Sequence, residues 1–435
     1  MCSRLALVVA AGSIAAVAGT APAWAAGVTS RVSVSTEGAQ GNGPSYALNM
    51  SKAMSADGRF VAFMSEATNL VPGDTNGVSD VFVRDRVAGT TRRVSVARAG
   101  IQANGRSYNA SISDDGQIIG FFSEASNLVA RDANDLPDFF VHDRRTGTTQ
   151  RVSIGPGGVE ADGDSFGDSA LSARGRFAAF DSDAMNLVPG DTNRAADVFV
   201  FNRQTRTMQR ASLGVGGVQG SRGSFLWGLS DDGRFVGFLS DANNLVPNDT
   251  NGVFDAFVRD RNLGTTERVS VGSGGIEGND ESYGAVLSAT GRFALFQSTA
   301  TNLVPGDTNG WGDIFVHDRR TRTTTRVSLG ARGVQPNGAS YSAAISADAR
   351  VVAFSSDATN LVPGDTNGRT DVFVRDRATG AVERVSVGAG GVQSDWYSYG
   401  MGLSADGRVV LIQSDATNLV PDDTNGVTDV FVHVR

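Results

Sequence analysis

Cysteine is almost missing from this chain of 435 residues: Cys2 stands alone, so no disulfide can be built within it. Lysine is nearly as scarce, with Lys52 the single example among arginines spread through the sequence. The formal net charge is −8, and no block of positive charge interrupts it. That balance argues against nucleic acid or an anionic membrane surface as a partner. Only three histidines occur, His142, His317 and His433, and no stretch beyond the N-terminus is apolar enough to span a bilayer. Helical hydrophobic periodicity is absent throughout.

The one long apolar run, LALVVAAGSIAAVAG, follows Arg4 and precedes Ala23-Trp24-Ala25, a small-x-small cleavage site. Residues 1–25 therefore read as a secretory signal, with the mature chain starting at Ala26. Cys2 lies inside that signal and not after its apolar core, so it is not placed for lipid attachment. Removing Arg4 leaves the mature chain at −9. The expected address is secreted, periplasmic or cell-envelope.

What is present is a repeat. Near-copies of SDATNLVPGDTNGRTDVFVRDR place an aspartate at 74, 132, 191, 249, 307, 365 and 423, at intervals of 58 residues with one of 59. A fixed period of that size means one supersecondary unit copied seven times, and it fills residues 26–435. Within the period that begins at Gln335, SYSAAIS reads as a first strand and Ala347-Asp348 as its turn, which is Asp-Gly in copies such as Asp57-Gly58. RVVAFSS reads as a second strand buried on both faces, DVFVRDR as a third, and ERVSV, after Thr379-Gly380, as a fourth. Four short strands per unit predict an all-β, seven-bladed propeller of antiparallel blades. Small residues in the first strands (Gly284-Ala285, Ser342-Ala343-Ala344, Gly400, Gly402) suit backbones crowded at an axis.

The count of strands predicts closure. Arg-x-Ser marks a fourth strand at Arg93, Arg151, Arg210, Arg268, Arg326 and Arg384, but the chain ends soon after the seventh third strand. Arg31-Val32-Ser33-Val34 supplies the missing copy, so residues 31–34 are expected to pair with residues 429–432. The recurrent arginines are expected to charge the outer edges against pairing with another chain.

The units S-x-D-G-R-x-V-A-F and D-x-F-V-x-D-x-x-T-G-x-x-x-R-V-S resemble the WD-repeat-like blades of the TolB-like propeller family. The resemblance covers the mature chain, but seven units replace TolB's six and no separate N-terminal domain accompanies them. The loop P-G-D-T-N-G-x-x-D in turn resembles integrin-type calcium loops, D-x-D-x-N-G-x-x-D. On that match Pro72, Ala130, Pro189, Pro247, Pro305, Pro363 and Pro421 replace the first aspartate. The remaining candidate ligands for Ca2+ are Asp74, Asn76 and Asp80; Asp132, Asn134 and Asp138; Asp191, Asn193 and Asp197; and Asp249, Asn251 and Asp255. The last three blades supply Asp307, Asn309 and Asp313; Asp365, Asn367 and Asp371; and Asp423, Asn425 and Asp429. Oxygen-only donors suit calcium, although six to eight are needed and waters would have to complete the shell. The competing reading is purely structural: Asp and Asn cap turns through the backbone. No basic residue recurs within the loop to offset the repulsion between its carboxylates.

Enzyme chemistry has less to stand on. The histidines share one strand position, held elsewhere by Arg84, Phe201, Arg259 and Arg375, which reads as surface filling. Gly163-Asp164-Ser165-Phe166-Gly167 fits the nucleophile-elbow pattern, yet Ser165 is only the copy of Ser107, Ser224 and Ser340. Trp311, Trp396 and Tyr397 could stack on a sugar, but belong to blades 5 and 7. The long loops and linkers share one rim, where function belongs. The sequence thus describes a non-enzymatic, monomeric binding or scaffold propeller for a protein or glycan, with carbohydrate binding or cleavage on the loop rim as the alternative.

Overall fold

The computed structural model describes residues 27–47 and 52–435; the expected secretory signal, residues 1–25, lies outside them. Seven four-stranded antiparallel sheets follow one another around an axis. Blade 1 runs Ser45–Tyr46, Phe60–Ser65, Asp80–Asp85 and Thr90–Arg93 from axis to perimeter, and blade 6 runs Ser340–Ile345, Val351–Ser356, Asp371–Asp376 and Val382–Arg384. No α-helix occurs among the described residues, and none is long and apolar enough to cross a membrane.

Both faces of the middle strands are apolar because each face meets a different neighbour. Phe82 packs with Phe63 and blade 7's Val409 and Leu411, while Val81 and Val83 on the opposite face pack with blade 2's Ile119 and Phe121. Phe63 and Phe82 are register partners whose rings stack 5.7 Å apart, and Phe121–Phe140, Phe238–Phe257, Phe296–Phe315 and Phe354–Phe373 repeat the pair. Each such pair contributes about 0.5–1.5 kcal/mol beyond burial.

Closure is as expected, with its bounds shifted. The N-terminal strand is Val28–Arg31, outermost in blade 7, and it pairs Val28 with Val434 and Arg31 with Phe431. Val32 and Ser33 continue through their amides to the Val430 carbonyl, and the Ser33 hydroxyl accepts from the Val430 amide. The same shift affects every outer strand, which ends at the arginine and does not run through R-V-S. After Arg93 the serine turns inward, and its hydroxyl bonds Asp80 instead of continuing a ladder.

The axis holds a feature with no counterpart in the sequence pattern. One residue before each first turn, seven backbone amides bond in a circle: Ala56 to Asp114, then Ala173, Asp231, Ala289, Ala347, Ala405 and back to Ala56. The N···O distances lie between 2.8 and 3.3 Å. Inside this ring the ammonium of Lys52 meets Asp114 at 3.0 Å and Asp231 at 3.2 Å. The 59-residue interval has a local cause as well. Blade 3 carries Asp168 as an extra residue between Phe166 and Ser169, where the strand register shifts.

Two further expectations need correction. In blade 6 the left-handed turn residue is Ala349 (φ 59°), aligned with Gly58 (φ 69°), so the turn is Asp348-Ala349 and not Ala347-Asp348. The histidines are not surface filler. All three are buried, with Nδ1 of His142, His317 and His433 at 2.9–3.0 Å from the hydroxyls of Thr149, Thr324 and Thr29. The third strand presents this position inward, under the linker of the neighbouring blade, whose Val96 carbonyl accepts from Thr149.

Candidate functional site

The repeated loop is built from the second aspartate outward. In blade 1, Asp80 opens the third strand fully buried; one of its oxygens accepts from Ser95 Oγ at 2.5 Å. The other accepts from Asn76 Nδ2 at 2.9 Å and from Arg93 Nη1 at 3.0 Å. Asp74 lies 3.1 Å from the same guanidinium nitrogen. Asn76 also donates to the Ala103 carbonyl of the next linker, which fastens blade 1 to blade 2.

All seven loops converge in this way, and each places an arginine between its carboxylates. Arg151 pairs with Asp132 and Asp138, Arg210 with Asp191 and Asp197, and Arg326 with Asp307 and Asp313, all at 2.8–3.0 Å. Arg268 pairs with Asp249 and Asp255, Arg384 with Asp365 and Asp371, and Arg31 with Asp423 and Asp429, at 2.9–3.6 Å. These arginines do not charge an outer edge, as their strand position suggested; they fold back, nearly buried, into the loop. The cation missing from the loop's own sequence is delivered by the outer strand, and in blade 7 by the opposite end of the chain.

A further partner escaped the sequence reading. Nine residues after every one of these arginines stands Gln40, Gln102, Glu160, Gln219, Glu277, Gln335 or Gln393. Arg210, Arg326 and Arg384 donate to Gln219, Gln335 and Gln393, while Arg151 and Arg268 donate to Glu160 and Glu277. The constant spacing of nine was the legible sign. In blade 4 and its linker to blade 5, Asp249, Asp255 and Glu277 bring oxygens within 4.8 Å of one another, a grouping that could hold a metal ion. Arg268 Nη1 stands 3.2, 2.9 and 2.6 Å from those three groups, so the central position belongs to a guanidinium. A divalent cation does not fit this donor set while the arginine is in place. Burial, opposed by Arg151 and Arg268, pushes Asp132 and Asp249 up to about 6. Burial also works to raise Glu277, but hydrogen bonds from Thr250 and Arg268 outweigh it and hold this carboxyl down to about 2.

Blade 7 breaks the symmetry of the loop rim. Asp395, Trp396, Asp415, Thr417 and Thr428 join Tyr46 of blade 1 around an open groove of about 570 Å³. Trp396 is 44% exposed; its indole meets the Tyr397 ring edge-on at 5.6 Å and carries the Arg369 guanidinium 4.2 Å from its centre. Trp311 is exposed in blade 5 but does not line the groove. Ser165, the elbow candidate, is buried at the start of an inner strand, its hydroxyl 3.5 Å from Ser182.

No family model and no curated protein matches the chain. Solved structures do. An oligogalacturonate lyase in complex with manganese superposes with a TM-score of 0.56 at 11% identity, covering 93% of this chain and 92% of that one. An oligogalacturonate lyase from Vibrio parahaemolyticus gives 0.55 at 11%, with the same coverage of 93% and 92%. The β-propeller domain of the trilobed protease from Pyrococcus furiosus gives 0.52 at 14%, covering 86% and 90%. This likeness is one of fold. The Pyrococcus domain has an open velcro topology, whereas here Val28–Arg31 closes the ring.

Proposed function

We propose that this protein is an exported, non-enzymatic binding propeller whose ligand meets the rim of long loops. The reading rests on the seven Asp–Asn–Asp loops. Their reactive-looking groups are ion-paired with the arginine of the same blade and spend their hydrogen bonds on holding blade to linker. Chemistry that repeats seven times in buried ion pairs is architecture, and recognition falls to the positions where blades differ. This reading does not require calcium, because the arginine already occupies the position between the carboxylates.

The test is turnover. Neutral polysaccharides and polygalacturonate, incubated with the purified exported protein with and without manganese or calcium, are expected to show no new reducing ends or unsaturated products. Cleavage above a protein-free control, abolished by one point substitution on the loop rim, would overturn the reading in favour of a carbohydrate-active enzyme.

A further inference from the structure

We infer that the groove between blades 7 and 1 binds a neutral pyranose unit of a glycan, with Trp396 as the stacking platform and Asp415 as an acceptor for sugar hydroxyls. The inference rests on the reading of the loop rim as the binding face and names the ligand class of that face.

Trp396 stands where the other blades carry Gly43, Gly105, Gly163, Arg222, Asp280 and Gly338. At four of those positions even one added carbon is crowded: a Cβ would come within 3.0 Å of the backbone beside Glu66 at Gly43, 2.7 Å of Glu124 at Gly105, 2.7 Å of Ala184 at Gly163 and 2.8 Å of Asp357 at Gly338. An indole here does not fill a space that the repeat leaves vacant. It is a local departure, and the residue stays nearly half exposed although large apolar side chains are normally covered. The ring is also fixed, by Tyr397 at its edge and Arg369 over its face, so a ligand would stack without first ordering it.

The polar groups around it are acceptors and hydroxyls. Asp395 is held by the amide and hydroxyl of Thr417 at 2.8 and 2.6 Å. Asp415 accepts from Thr428 through one oxygen at 2.5 Å, and its second oxygen has no partner among the described residues. Tyr46 brings a phenol whose ionisation is held up by burial and then by Glu66 and Asp415. The groove's lining carries two carboxylates and no lysine or arginine. A uronate or phosphate would face Asp395 and Asp415, while the one nearby guanidinium, Arg369, is engaged by the indole and the Tyr397 hydroxyl, which separates this ligand class from that named for the lyases. A cation would suit the carboxylates, but the indole already carries the Arg369 guanidinium, and a second positive charge on that ring would be repelled. A neutral sugar has an apolar ring face for the indole and hydroxyl donors for Asp415. The groove's volume falls within the range of small-molecule sites.

Calorimetry and tryptophan fluorescence with cellohexaose, mannohexaose and maltohexaose test this directly, with hexagalacturonate and choline as controls. At least one neutral hexasaccharide is expected to bind in the millimolar to high-micromolar range. Trp396→Ala should weaken it at least tenfold, Trp396→Phe less, Asp415→Asn severalfold, and Trp311→Ala not at all. Equal melting temperatures of wild type and variants exclude misfolding as the cause. The inference fails if none of the three sugars binds at millimolar concentration, if Trp396→Ala binds normally, or if hexagalacturonate or choline binds more tightly. Reducing-end release from a bound sugar would instead overturn the non-enzymatic reading and leave the site standing, so the two failures are distinguishable.

Discussion

At the scale of single residues, three buried histidines are expected to limit acid stability. Burial holds His142 down to about 4 and lowers His317 and His433 as well. A base whose folded pKa is depressed contributes stability that is complete above its unfolded value, about 6.5, and lost as pH falls through the folded value. For His142 the difference corresponds to at most about 3 kcal/mol. Phe201 occupies the same position in blade 3 and is buried there, so phenylalanine fits. The triple variant His142→Phe, His317→Phe, His433→Phe is expected to unfold at a lower pH than the wild type in an acid titration followed by circular dichroism, with melting at pH 8 little changed. Coincident acid midpoints would show that the histidines do not set this limit.

At the scale of the element, the unit is a loop, an outer strand and the linker that follows, not a strand alone. Arg268 belongs to the outer strand, Asp249 to the loop, Asp255 to the start of the third strand and Glu277 to the linker, and removing the arginine leaves buried carboxylates facing one another. Breaking a buried pair from one side costs about 3–5 kcal/mol. Arg268→Ala should therefore melt well below the wild type in chelator. With the guanidinium gone, the oxygens of Asp249, Asp255 and Glu277 remain within 4.8 Å, and manganese or calcium at millimolar concentration should recover part of the lost melting temperature. The wild type should melt at the same temperature in chelator and in calcium. A calcium shift of many degrees in the wild type would mean that the ion displaces the arginine.

At the scale of the whole molecule, the fold is a ring closed twice. Near the perimeter, Val28–Arg31 completes blade 7, and Arg31 brings to Asp423 and Asp429 the charge that every other blade draws from its own outer strand. At the axis, the seven-membered circle of peptide hydrogen bonds joins every blade to the next. A mature chain shortened to begin at Val34 loses an edge strand, one ion-pair cluster and the Ser33–Asp429 hydrogen bond together. It is expected to melt many degrees below the full chain and to expose blade 7 to proteolysis first, mapped by mass spectrometry of early fragments. Unchanged melting and digestion would show that the terminal strand is dispensable. The single Arg31→Ala variant, which keeps the strand, should fall between the two.

Much of this was legible in residues alone. The 58-residue interval, the turn glycines, the doubly apolar second strands and the one fourth strand missing at the C-terminus determined a seven-bladed ring closed by the N-terminus. These are local properties repeated in register, and repetition removes their ambiguity. Strand ends were less legible, because Val28–Arg31 and its equivalents stop where a serine side chain takes over from the backbone ladder. The partner of each Asp–Asn–Asp loop could not be read from the loop at all. Asp74 and Arg93 are 19 residues apart, and Asp423 meets Arg31 from the other end of the chain. Only tertiary structure decides which cation sits between two carboxylates, since neutralising them depends on a distance of a few ångströms that sequence spacing does not fix. The same holds for the groove at Trp396: Tyr46 and Asp415 face one another only because the ring brings the first blade beside the last.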